Sequence, residues 1–129
     1  MTPGPDSHLR LARPSRDFAA AERFWVDGLG LQVLWRTPPR DPEPLVMVGW
    51  NSAGWHLELV ASSGVVPTPT EEDLLVLYLD GPVDSALVGR LVAAGGVVVT
   101  SRNPYWDEWG TTVQDPDGYR LVLCTRAWD

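Results

Sequence analysis

The sequence predicts an α+β fold: two tandem βαβββ modules whose curved mixed sheets surround a cavity, with the helices on the outer face. Three observations predict it. Short apolar alternations of period 2 mark strands, and apolar residues at helical spacing mark one helix in each half. The order strand, helix, strand, strand, strand occurs twice. The halves also superimpose. Gly54-Trp55-His56-Leu57-Glu58-Leu59 lies over Gly118-Tyr119-Arg120-Leu121-Val122-Leu123 at an offset of 64, and His8 to Arg13 lies over Leu74 to Leu79 at an offset of 66.

In the first module (8–61), His8 to Arg13 alternates as a strand. Pro14-Ser15-Arg16-Asp17 then opens a helix, with Ser15 or Asp17 available as its cap. Phe18, Ala21 and Trp25 share one helical face, and Gly28 is the expected stop. Leu31 to Arg36 reads as a strand, followed by a proline-rich loop from Thr37 to Pro44. Leu45 to Trp50 and Trp55 to Ala61 read as two more strands around the turn Asn51-Ser52-Ala53-Gly54. A tail (1–7) precedes this module, and a polar linker (62–73) follows it.

The second module (74–126) repeats the order. Leu74 to Leu79 is a strand, and Gly81-Pro82 opens a helix whose face carries Val83, Leu87, Leu91 and Ala94. Gly95-Gly96 ends that helix before the strand Val97 to Thr100. Asn103 to Trp106 reads as a loop, and Trp109 to Gln114 and Tyr119 to Thr125 as strands. Between them Asp115-Pro116-Asp117-Gly118 has its Pro and Gly where a type I turn wants them. The modules are expected to form one structural domain (8–126).

A chain of 129 residues with 44% apolar content can bury roughly two-thirds of its unfolded surface, so its core needs neither disulfide nor metal. Its one cysteine, Cys124, sits in an apolar run and is expected to be a buried thiol. The net charge is −7 and the 10 basic residues are all arginine and scattered, which argues against a nucleic-acid partner. An acidic protein concentrates neutral or cationic ligands. Met1 to Ser7 lacks a basic start and an apolar stretch. No run approaches the ~18 apolar residues of a membrane span, so a cytoplasmic protein with no membrane partner is expected. The compositional outlier is seven tryptophans, the usual walls of pockets for flat organic ligands.

Three motifs then occur in order on the duplicated framework. They are Arg13-Pro14-Ser15-Arg16-Asp17-Phe18 with Arg23-Phe24-Trp25-Val26-Asp27-Gly28-Leu29-Gly30-Leu31, then Trp55-His56-Leu57-Glu58-Leu59, and finally Asp115-Pro116-Asp117-Gly118-Tyr119-Arg120-Leu121-Val122-Leu123. Together they resemble the vicinal oxygen chelate superfamily, which includes glyoxalases, dioxygenases and bleomycin-resistance proteins. The resemblance covers residues 8 to 125. It implies four metal-ligand positions, on the first and last strands of each module. Carried over, these are His8 and Glu58 in the first module and Leu74 and Val122 in the second.

Leucine and valine have no lone pair to give, whereas a catalytic divalent metal generally takes three or more protein ligands. No metal or other cofactor is therefore expected. One alternative set stays open: His8, His56 and Glu58, because strand alternation puts His56 on the face of Glu58.

Alternation assigns Leu9, Leu11, Trp55, Leu57, Leu59, Leu75, Leu77, Leu79, Tyr119, Leu121 and Leu123 to the helix-facing layer. The ligand-binding face carries His8, Arg10, His56, Glu58, Val60, Leu74, Val76, Tyr78, Arg120, Val122 and Cys124. Trp35, Tyr105, Trp106 and Trp109 are expected as walls, and Asn103 to Trp106 as a lid. An apolar floor, aromatic walls and a few hydrogen-bonding groups make a binding pocket, with no base poised for proton transfer.

Metal-free relatives include dimeric proteins that sequester antibiotics. The resemblance thus implies a homodimer that binds an aromatic or polycyclic natural product, neutral or cationic and bleomycin- or enediyne-like, without catalytic residues. The alternative is a metal-dependent lyase, isomerase or dioxygenase using His8, Glu58 and His56. A metal-independent catalyst or a biosynthetic accessory protein would use the same pocket.

Overall fold

The computed structural model describes residues 1–61 and 64–129, so Ser62 and Ser63 of the expected linker lie outside the described residues. The first module runs β1 (Leu9–Pro14), α1 (Phe18–Glu22) with a π-helical continuation (Arg23–Gly28), β2 (Gln32–Arg36), β3 (Leu45–Gly49) and β4 (Trp55–Val60). The second runs β5 (Leu74–Tyr78), α2 (Ser85–Ala93), β6 (Val97–Val99), α3 (Pro104–Glu108), β7 (Gly110–Gln114) and β8 (Arg120–Cys124). Strand ends differ from the expected ones by at most one residue.

Helix caps account for the larger differences. Asp17, and not Ser15, caps α1, its Oδ1 accepting from Ala20 N at 3.1 Å. The helix ends at Gly28 as expected, its last stretch widened by a Leu29 N to Phe24 O bond of 3.0 Å, and the chain turns away at the left-handed Gly30 (φ +93°). Gly28 has a second task. A Cβ there would lie 3.1 Å from Leu91 Cδ2, so its bareness lets the two module helices touch. In the second module Asp84 caps α2 through Ala86 N at 2.9 Å, so the helix begins after Gly81-Pro82 and Val83 lies outside it. The stretch expected as a loop after Asn103 is helical: Asn103 Oδ1 accepts from Tyr105 N at 3.0 Å, with Pro104 in the first turn. Trp109 caps that helix and is not part of β7.

Each module forms a four-stranded mixed sheet, ordered β1-β4-β3-β2 and β5-β8-β7-β6. β1 runs parallel to β4 with Arg10 opposite His56 and Ala12 opposite Glu58. β5 runs parallel to β8 with Leu74 opposite Arg120 and Val76 opposite Val122. These registers correct the sequence alignment. The offset is 64 in the first strands as well, so Leu74 corresponds to Arg10 and not to His8. A slip of two residues keeps every side chain on its face, so apolar alternation alone cannot detect it.

The core merges both modules: Phe24, Trp25, Val46, Val48, Leu57, Leu91, Val113, Leu121 and Leu123 are all fully buried in one cluster. The helix-facing layer is less complete than alternation implies. Leu9 and Leu11 are 60% and 40% exposed, and Leu79 is also exposed. α1 packs on β4 and α2 on β6 and β7, which leaves the edge strand β1 uncovered. No helix of the described residues is long and apolar enough to cross a membrane.

Candidate functional site

The sheet face opposite the core carries the polar groups. On β4, His56 and Glu58 sit between Arg10 and Ala12 of β1 and Gly49 and Met47 of β3. Gly49 is required there, because a Cβ would meet His56 Cβ at 2.9 Å and Leu34 Cδ1 at 3.2 Å. Arg10 Nη1 lies 3.3 Å from Glu58 Oε1. His8, just ahead of β1, brings Nε2 to 2.6 Å from His56 Nδ1, so one imidazole donates to the other according to tautomer. Partial burial, then the neighbouring His8 and Arg10, hold the His56 pKa below its ordinary value against the opposing pull of Glu58. His56 Nε2 is hidden and has no hydrogen-bond partner among the described residues. A register shift between Val33 and Trp35 pairs the half-exposed Trp35 with Met47, on the outermost strand of the sheet.

The second module closes its part of the same face. Val122 and Cys124 are fully buried and Thr112, opposite Val122, nearly so. Ser101 Oγ bonds Thr112 Oγ1 at 2.5 Å, and Asp107 of α3 accepts from Ser101 N at 3.0 Å, so α3 is tied down onto β7. Val122 is therefore buried floor, out of a ligand's reach. Arg120 is half-buried, with an unpartnered Nη1. Leu74 faces it across the ladder, and Val76 lines an apolar groove of about 200 Å³ with Leu9, Leu11 and Leu77 at the seam of the two sheets.

Aromatic residues are concentrated beside this closed floor. Tyr78 meets Trp106 edge-on at 6.5 Å and Trp128 at 5.5 Å, and Tyr105 packs on Trp106 at 5.0 Å. Arg126 sits 4.7 Å above Trp109 and donates to Tyr105 Oη at 3.3 Å. The structure thus joins Tyr78, Tyr105, Trp106 and Trp109, four of the expected wall and pocket residues, into one run. It adds two that the sequence reading missed, Arg126 and Trp128. Their signal was position: they follow the last strand directly, alongside the end of β5.

The residues present do not fit the metal that the superfamily's enzymes use. Arg10, a permanent cation already paired with Glu58, stands where a first-strand ligand belongs. The two histidines bond each other, and the second module offers Leu74 and Val122. Among the described residues no three His, Cys, Asp or Glu side chains are grouped to hold an ion.

Comparison with known proteins decides the family. The YycE-like N-terminal domain model matches residues 9–60 and the YycE-like C-terminal domain model matches residues 72–125. The chain belongs to the YycE-like family. It is 34% identical over 120 residues to YycE of Bacillus subtilis (strain 168), which covers 91% of this chain and 86% of that protein. A crystal structure of a YycE protein of unknown function from Bacillus subtilis superposes with a TM-score of 0.85 at 32% identity, covering 96% of this chain and 93% of the other. TnmS3, an antibiotic binding protein from Streptomyces sp. CB03234, superposes with a TM-score of 0.64 at 25% identity, covering 96% and 99%. This YycE-like chain thereby stands in the vicinal oxygen chelate superfamily, with the fold of glyoxalase and bleomycin-resistance proteins.

Proposed function

We propose that this chain binds an aromatic or polycyclic natural product in the cytoplasm, without a metal-dependent reaction, and so confers resistance by sequestration. The observation that carries the reading is the run of partly exposed aromatic rings, Tyr78, Tyr105, Trp106, Trp109 and Trp128, on a chain whose Glu58 is already neutralised by Arg10. Rings on a largely preformed surface stack on flat ligands at little entropic cost. The likeness to an antibiotic binding protein supports it.

Two copies are part of the proposal. β1 and β5 are open sheet edges with bare backbone donors and acceptors, and Leu9 and Leu11 lie exposed beside the first. A second copy on these edges would cover the leucines and wall the open polar face.

Titration of tryptophan fluorescence with bleomycin and with a polycyclic anthraquinone tests the binding. Saturable quenching is expected, weakened about ten-fold or more by Trp106→Ala. Absence of quenching by both probes, or turnover that depends on added metal, overturns the reading.

A further inference from the structure

A second cavity, of about 420 Å³, lies at the far end of β1, where the inter-module linker crosses the strand. Its apolar wall is Leu11, Val65, Val66 and Pro69, and its polar lining includes Arg13 and Asp73. Arg13 is unusual for an arginine: it is only 7% exposed, and among the described residues no carboxylate lies within ion-pair distance of it. Its guanidinium stacks 4.6 Å from the Tyr119 ring centroid, and its Nη1, closed off from solvent, has no hydrogen-bond partner among the described residues. A guanidinium cannot shed its charge, so a buried one calls for an acceptor.

Asp73 supplies the opposite charge on the same lining. Its Oδ2 accepts from Thr70 N at 2.6 Å, and the Thr70 backbone bond, then the Thr70 hydroxyl, hold its carboxyl below the usual range. No described cation pairs with it. The cavity therefore carries one cation and one anion on its lining that form no direct ion pair. The linker wall is anchored, because Arg16 Nη2 donates to Pro67 O at 3.0 Å and Pro67 is fully buried.

We propose that this cavity is a binding site for a small zwitterion with an apolar body, an α-amino acid with an aliphatic or aromatic side chain. Its carboxylate would face the Arg13 side chain where that lines the cavity, its ammonium would take Asp73, and its side chain would lie against Leu11, Val65 and Val66. Charge balance excludes the simpler ligands. A plain carboxylate would face Asp73 and, behind Arg13, Asp115, Asp117 and the Tyr119 hydroxyl; a plain amine would leave Arg13 unsatisfied. Two charged hydrogen bonds on either side of an amino-acid head span roughly 8 Å, which suits two groups too far apart to pair directly. The site is distinct from the aromatic run and does not depend on the function proposed for it.

Calorimetric titration of the full chain with L-leucine, L-phenylalanine and L-tryptophan tests the assignment. At least one is expected to bind, and 3-phenylpropionate and phenethylamine, each lacking one charge, are expected to bind at least ~10-fold more weakly than L-phenylalanine. Asp73→Asn, at an exposed position, should reproduce the loss, as should Arg13→Met. Val66→Glu, on the exposed linker, provides a variant that leaves the buried junction intact, while Trp106→Ala should leave binding unchanged. Absence of heat with all three amino acids, equal binding of 3-phenylpropionate, or full affinity in both Asp73→Asn and Val66→Glu would overturn the proposal.

Discussion

Trp25 Nε1 donates to Asp115 Oδ2 at 3.2 Å, joining the helix of the first module to the β7–β8 turn of the second. The other carboxylate oxygen accepts from the backbone N–H groups of Asp117 (2.9 Å) and Tyr119 (2.8 Å), which shapes that turn. A return bond runs from Arg16 N to Asp117 Oδ1 at 2.8 Å. Two hydrogen bonds between residues 90 and 101 positions apart thus lock the modules around two nearly buried carboxylates. The burial has an electrostatic consequence: it pushes the Asp115 pKa up to about 6, against the lowering effect of its three N–H donors.

This shift fixes a pH dependence. An acid whose folded pKa lies above its unfolded value holds a proton that the unfolded chain releases. Asp115 therefore contributes stability that is fully present below about pH 4 and is lost as pH rises through about 6. The contribution is at most about 3 kcal/mol. Urea denaturation across pH 4 to 7 should show this downward component as the difference between wild type and Asp115→Asn, which cannot titrate. Parallel profiles for the two proteins would contradict it.

Trp25→Phe removes the donor and part of a fully buried ring. The lost charged hydrogen bond and the remaining cavity together should cost about 2–4 kcal/mol in denaturant unfolding. A loss under ~1 kcal/mol would mean that the junction is held by apolar packing alone.

Much of this architecture was legible in the sequence, because Leu57, Leu59, Leu121 and Leu123 alternate and the duplicated Gly-aromatic strand openings fix an offset of 64. The candidate site was legible in part. The pairing of Arg10 with Glu58 escaped the reading because a two-residue slip in the first strand leaves the apolar face unchanged, and it brought His8 forward in place of Arg10. The burial of Val122 escaped for another reason: Asn103-Pro104 can begin a loop or a helical turn, and only tertiary packing places that turn over β7.

Two glycines should separate steric from backbone cost. A Cβ at Gly110 would sit 2.2 Å from the Leu123 carbonyl oxygen, where β7 approaches β8. Gly110→Ala should cost about 3 kcal/mol or more, or prevent soluble expression. Gly30 has open space around it but a φ of +93°, so Gly30→Ala should cost only about 1 kcal/mol. Equal effects of the two substitutions would refute this account.

The uncovered strand β1 makes the oligomeric state testable. Leu9→Glu with Leu11→Glu adds charge where both leucines are exposed, so monomer stability should change by less than ~1 kcal/mol. If a second copy covers this edge, light scattering should show a dimer for the wild type and a monomer for the double variant. A wild-type monomer at all concentrations would remove the dimer from the proposal.

Arg10 and Glu58 distinguish a binding site from a structural ion pair. The Arg10 side chain is about half exposed, at 54%, and such pairs contribute about 0–1 kcal/mol to folding. Arg10→Ala and Glu58→Gln should accordingly leave the unfolding midpoint nearly unchanged. If this face positions the polar part of an aromatic ligand, each should still weaken probe binding about ten-fold, since a hydrogen bond to a charged group contributes about 1.5–3 kcal/mol. Unchanged probe binding in both variants would show that Arg10 and Glu58 hold no part of the ligand.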